Sequence, residues 1–215
     1  MRPRRLVFDR AIDARSNMCS MSSIVGAPSW LRSPAMQFSG TVYFDFESKN
    51  AWRLFLLLTE AAREGVKVDA DWVGYVQDDL DDPHAMSPGA RALAAHAAVV
   101  EPQRRQVLRT GLFTLIHRQG DTLDDELTIR AAAKVAGVDA DILLAAIPAS
   151  GHAALRDGCA RARQAGVVNV PSVVRHGSPL YVATTPALAE GSAKPRLVAI
   201  DQMLEDDGLW RLEKP

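Results

Sequence analysis

Ser48, Lys49 and Asn50 fall between a β-branched and aromatic run, Thr41–Phe46 (TVYFDF), and an apolar helical pattern, Ala51–Leu58 (AWRLFLLL). A chain that passes directly from strand to helix leaves the first-turn N–H groups at the junction without intrahelical acceptors. That end of a helix carries partial positive charge and favours anions. A serine there has three uses. It can attack as a nucleophile, donate a hydrogen bond to a sulfur or other anion, or cap the helix. Lys49 adds a positive charge at the same place.

The remaining polar clusters point to no separate chemistry. Asp78, Asp79, Asp81 and Asp82 crowd the loop VQDDLDDPHAMSPG, but it lacks the glycine and terminal glutamate of a calcium loop, so a solvated loop and no metal are expected. His96, His117 and His152 fall on separate helical patterns without metal-ligand spacing and read as core or surface residues. Cys19 and Cys159 are the only cysteines, too few and too far apart for a disulfide framework or a zinc site. Cys159 lies in the helical pattern HAALRDGCARARQAG and reads as a half-buried thiol.

The elements that position Ser48 follow from the pattern along the chain. At 215 residues, 47% hydrophobic and 24% charged, the chain suits one soluble domain with room for an insertion. A net charge of −1 gives no reason to expect nucleic acid or a membrane surface as partner. Apolar runs such as Leu54–Leu58 fall far short of the roughly 20 residues of a membrane span. The first 35 residues, basic at Arg2, Arg4, Arg5, Arg10 and Arg15, show neither a period nor the apolar segment of a secretory signal, and Asp9 and Asp13 weaken a mitochondrial reading. Residues 1–37 are therefore expected to form a poorly ordered extension dispensable for folding, with Met18, Met21 or Met36 as alternative starts and the cytoplasm as compartment.

After the first strand, Ala51–Glu64 reads as helix closed by Gly65, and Val66–Tyr75 as a second strand, parallel to the first. Residues 88–165 read as five helices, with Pro102 near the start of one and Thr122 near the start of another. Ser172–Arg175 and Leu180–Val182 form a hairpin around HGSP, and PRLVAIDQMLEDDGLWRL supplies a last helix ended near Gly208.

This β-α-β, helical block, β-β-α order resembles the thioredoxin fold with a helical insertion of the DsbA type, an α/β fold. The resemblance implies a thioredoxin-like domain over residues 38–215 with its insertion at about 84–160. FDFESKNAW matches the strand end and helix start where DsbA-like oxidoreductases carry C-x-x-C, but the slots hold Ser48, Lys49, Asn50 and Ala51. A serine in the first slot is similar to 2-hydroxychromene-2-carboxylate isomerases and kappa-class glutathione transferases, although Lys49 stands where they commonly have proline. TLDDELTIRAAAKVAGVDADIL resembles the family's helix-turn-helix segment, and AGVVNVPSVVRHG places Pro171 where the fold has a cis-proline. The ending DDGLWRLEKP is similar to actinobacterial DsbA-family members that have lost the cysteines.

What the resemblance implies is a DsbA-like protein without thiol–disulfide exchange, since a serine hydroxyl has no redox couple. It would bind a low-molecular-weight thiol, glutathione or mycothiol, through Ser48, Lys49, Asn50, Val170 and Pro171, and act as isomerase or transferase on a small-molecule substrate, with Ser48 catalytic. A homodimer is compatible with it. The stretch LYVATTPALAEGSAKP lacks the apolar-Gly-x-Asp-Arg pattern of glutathione users, which leaves a non-catalytic binding protein as the alternative.

Overall fold

The computed structural model describes residues 36–78, 80–124, 126–183 and 192–205. The leader, Asp79 and the chain beyond Glu205, with the expected helix end at Gly208 and the tail motif, lie outside the described residues.

Four strands form one sheet in the order β2-β1-β3-β4. They are β1 (Gln37–Phe44), β2 (Lys67–Gly74), β3 (Ser172–Arg175) and β4 (Ser178–Tyr181). β1 pairs parallel with β2 from Gln37↔Lys67 to Phe44↔Gly74, and antiparallel with β3 through Val42↔Val173. β1 starts four residues before Thr41, because the parallel ladder recruits Gln37–Gly40 despite their weak β pattern. The hairpin turn is two residues rather than four: His176 (φ 53°) and Gly177 (φ 87°) both take left-handed conformations, the signature of a type I′ turn. Pro179 thus joins edge strand β4, where a missing N–H is tolerated.

α1 (Lys49–Arg63) joins β1 to β2, and α2 (Pro88–Ala98), α3 (Pro102–Thr114), α4 (Glu126–Val135), α5 (Ala140–Ala146) and α6 (His152–Gln164) lie between β2 and β3. α7 (Ala193–Glu205) follows the hairpin. α1 begins at Lys49 rather than Ala51, because the Ser48 cap lets polar Lys49 and Asn50 occupy the first turn. Two five-residue π-turns, Leu115–Gln119 and Ile147–Gly151, extend α3 and α5.

Small residues allow α2 and α6 to approach β2. A Cβ on Gly74 would sit 2.9 Å from Leu93, and one on Gly158 would sit 2.7 Å from Val73. The core is built on Phe44, Phe46, Phe55, Trp72 and Phe113, with Phe44 and Phe46 edge-to-face at 5.0 Å. His96 is buried in it against Phe44, and His152 is buried with Nε2 2.6 Å from the Leu80 carbonyl. Cys159 is fully buried rather than half-buried, because its helix faces β2. At the other side of the sheet order, Arg175 of β3 reaches Asp201 and Glu205 of α7 at 2.7 and 2.8 Å and the Ser39 carbonyl of β1 at 2.8 and 3.0 Å. The Glu64 carboxylate accepts from Ser192 Oγ and from the Ala193 and Lys194 N–H groups, tying the end of α1 to the start of α7. No described helix is long and apolar enough to cross a membrane.

Candidate functional site

A tight turn presents Ser48. The Ser48 N–H donates to the Asp45 carbonyl at 3.3 Å, and Asp45 Oδ1 accepts the Glu47 N–H at 3.1 Å. A short acidic side chain that bonds its own backbone two residues on stabilises such turns locally. Ser48 then caps α1 in an extended conformation (φ −71°, ψ 113°), with Oγ accepting the Ala51 N–H at 3.2 Å. Its own O–H points at the Val170 carbonyl, 3.5 Å away and 122 positions later in the chain. At that length the bond is weak, so the hydroxyl proton can be redirected to a ligand at small cost.

The Val170–Pro171 peptide bond is cis. The Pro171 carbonyl is occupied by the Val182 N–H at 2.9 Å, whereas the Val170 carbonyl faces Ser48. Asn50 Nδ2 donates to Tyr181 Oη at 3.3 Å, so β4 contributes a phenol beside the same helix end. Lys49 is exposed at the first position of α1. The structure thus gathers Ser48, Asn50, Val170 and Pro171 with Tyr181, and leaves Lys49 facing solvent at the helix end.

The insertion also reaches this junction. Trp52, one helical turn after Ser48, stacks on Phe55 at 5.6 Å and on His117 at 5.5 Å. His117 Nε2 lies 2.8 Å from the Phe46 carbonyl, and because a carbonyl only accepts, this contact assigns the proton to Nε2. Burial of the ring, assisted by the Lys49 charge, lowers its pKa below the ordinary histidine value against the opposing Phe46 bond. The ring is therefore neutral at pH 7. His117 is accordingly neither a core nor a plain surface histidine, because the π-turn carries it to the start of α1.

Burial pushes the Asp45 carboxyl up to about 6, with the Glu47 and Asp78 charges adding to the effect and the Glu47 and Phe46 backbone N–H groups opposing it. Burial likewise raises the Cys159 thiol, which is inert in consequence. Among the described residues no group of three or more His, Cys, Asp or Glu side chains is gathered to hold a metal ion. A shallow cavity of about 390 Å³ opens beside Val167 and Val168, on the loop leading to Val170, with Tyr75 and Arg163 in its wall.

His117, Tyr181, Asp45 and Trp52 escape a reading of the sequence. Trp52 alone has a local signal, since four residues after Ser48 places it on the same helix face. Asp45 is three residues before Ser48 but owes its raised pKa to burial by the fold, whereas His117 and Tyr181 come from distant positions.

The chain has a thioredoxin fold with a helical insertion of the DsbA type. No family model matches the sequence, and no curated protein is similar to it in sequence. Among solved structures, a thioredoxin-like oxidoreductase from Silicibacter pomeroyi superposes with a TM-score of 0.54 at 15% identity, covering 80% of this chain and 90% of its own. DsbA from Pseudomonas aeruginosa gives 0.52 at 16% identity over 80% and 84%. A cysteine-to-serine variant of Proteus mirabilis DsbA, with a non-covalently bound peptide, gives 0.53 at 16% identity over 86% and 94%.

Proposed function

We propose that this protein is a DsbA-like thioredoxin-fold protein of the actinobacterial type that lacks the C-x-x-C cysteines. In this reading it binds a low-molecular-weight thiol, glutathione or mycothiol, at Ser48 and uses it to isomerise or transfer a small-molecule substrate. The observation that carries the reading is the placement of the Ser48 hydroxyl between the α1 N-terminus and the Val170 carbonyl. A donated hydrogen bond and a helix N-terminus both favour the thiolate over the thiol and so lower the pKa of a bound thiol. Ser48 is then the group that touches the reacting sulfur. Lys49 supplies long-range positive charge, and Asn50 and the Val170–Pro171 backbone line the groove for the peptide-like part of the thiol.

The second reading is a non-catalytic binding protein that holds a peptide in the same groove. It is favoured by the peptide held non-covalently by the serine variant of the Proteus protein. Melting curves with reduced glutathione, reduced mycothiol and a seven-residue peptide separate the two, because a ligand that binds only the folded state raises the melting temperature. A rise with either thiol, reduced in Ser48→Ala, supports the enzyme. A rise with the peptide alone supports the binding protein, and no rise with any of them refutes both.

A further inference from the structure

We propose that His117 is a positioning residue for Ser48, holding the Asp45–Ser48 turn against the helical insertion so that the hydroxyl keeps its contacts with the Ala51 N–H and the Val170 carbonyl. The inference rests on the reading of Ser48 as the ligand-facing group.

His117 touches the chain on both sides of Ser48. Two residues before it, the Phe46 carbonyl accepts the His117 Nε2–H at 2.8 Å. Four residues after it, Trp52 lies flat against the imidazole, with ring planes 12° apart. The Trp52 N–H in turn donates to the Ser48 carbonyl at 3.0 Å, closing the first turn of α1. The Phe46 side chain is fully buried, so its peptide group is held from the core side by packing and from the other side by the histidine.

The insertion is shaped to deliver this ring. α3 gives way to the π-turn Leu115–Gln119, which the Asp121 N–H closes onto the Leu115 carbonyl at 3.1 Å and Gly120 ends in a left-handed conformation (φ 78°). A π-turn interrupts the regular helix period and re-aims its side chains, and such turns recur at functional sites. The N–H donated to the Phe46 carbonyl is the contact that holds the turn, and the flat ring adds packing on Trp52. Phenylalanine keeps only the ring, whereas glutamine keeps an N–H donor. Since the ring is neutral at pH 7, its role is geometric, distinct from the charge of Lys49.

A thiol placed at the site by Ser48→Cys, in a Cys19→Ser background, reports the local N–H donors through the pH profile of its alkylation by iodoacetamide. Cys159 is buried and does not interfere. The parent variant is expected to titrate below the ordinary cysteine value of about 8.5. Adding His117→Phe should raise the midpoint by about 0.5, roughly a threefold loss of thiolate at pH 7, and His117→Gln should restore most of it. A lowered melting temperature with an unmoved alkylation profile in His117→Phe assigns the residue a structural role only and overturns the proposal. Where His117→Phe does not fold, the Gln variant decides, since a midpoint as high as that of free cysteine contradicts it and one near the parent supports it. A parent variant that titrates like free cysteine instead removes the thiol-site reading itself, and this inference with it.

Discussion

Replacing Asp45 by asparagine tests whether the turn beneath Ser48 carries a carboxyl that resists ionisation. Asp45 titrates near 6 in the fold, against an ordinary value of 3.8. Because its pKa is raised, the folded chain holds the proton more tightly than the unfolded one. Stability from this group is therefore greatest below pH 3.8, is lost as pH rises from 3.8 to 6, and is constant above that. The gap corresponds to about 3 kcal/mol of destabilisation at pH 7, at 1.36 kcal/mol for each unit of pKa. Asparagine keeps an oxygen for the Glu47 N–H but accepts it less strongly than a carboxylate does, and residual water access softens the penalty. Asp45→Asn should then stabilise the fold by about 1–2 kcal/mol at pH 7, a rise of roughly 3–6 °C in Tm. Urea unfolding at pH 7 and pH 4 measures it, and the gain should shrink to less than about 0.5 kcal/mol at pH 4. A loss of stability at pH 7, or an equal gain at both pH values, would refute the reasoning.

Ser48→Ala removes the cap on the Ala51 N–H and should cost about 1 kcal/mol in urea unfolding, whatever its effect on ligands. Arg175→Met leaves the Ser39 carbonyl and the Asp201 carboxylate without their cation, and should cost about 2–3 kcal/mol by the same assay, with partial solvent access of Asp201 and Glu205 keeping it below the loss for a fully buried pair. Gly151→Ala places a Cβ 2.5 Å from the Ala94 carbonyl oxygen, so thermal melts should show a loss of about 2 kcal/mol or more despite an ordinary helical conformation at that residue. Glu64→Gln weakens the anchor at the start of α7. The Glu64 pKa is lowered first by the Ser192 hydroxyl and then by two backbone N–H groups, so the difference from wild type should be present at pH 7 and vanish as pH falls below the ordinary carboxylate range.

The order of elements could be read from the chain because it rests on local signals, while the approach of Ser48 to Pro171 follows from the resemblance to the thioredoxin fold. β-branched runs mark β1 and β3, glycines mark helix ends, and a proline heads the β3 run. The start of β1 could not, since Gln37–Gly40 become strand only through the ladder to Lys67–Ala70. The left-handed conformation of His176 has no local signal, so the pattern HGSP reads as a four-residue connection where the turn has two. The π-turn over Leu115–Gln119 has no sequence signature, so His117 reads like any helical histidine, although packing brings it onto Phe46, 71 positions earlier in the chain. Tyr181 meets Asn50 across 131 positions for the same reason. Asp45 shows the limit from another side: its turn-forming role is local, while its raised pKa depends on burial by elements far along the chain.

The central claim is that the Ser48 hydroxyl stabilises a bound thiolate. Thiolate absorbance at 240 nm, followed against pH for reduced glutathione or mycothiol at saturating protein, reads it directly. The thiol bound to wild-type protein should titrate at least about one pH unit below the free thiol, and the difference should be mostly lost in Ser48→Ala. An equal lowering in wild type and Ser48→Ala, or a bound thiol that titrates as it does in water, contradicts the claim.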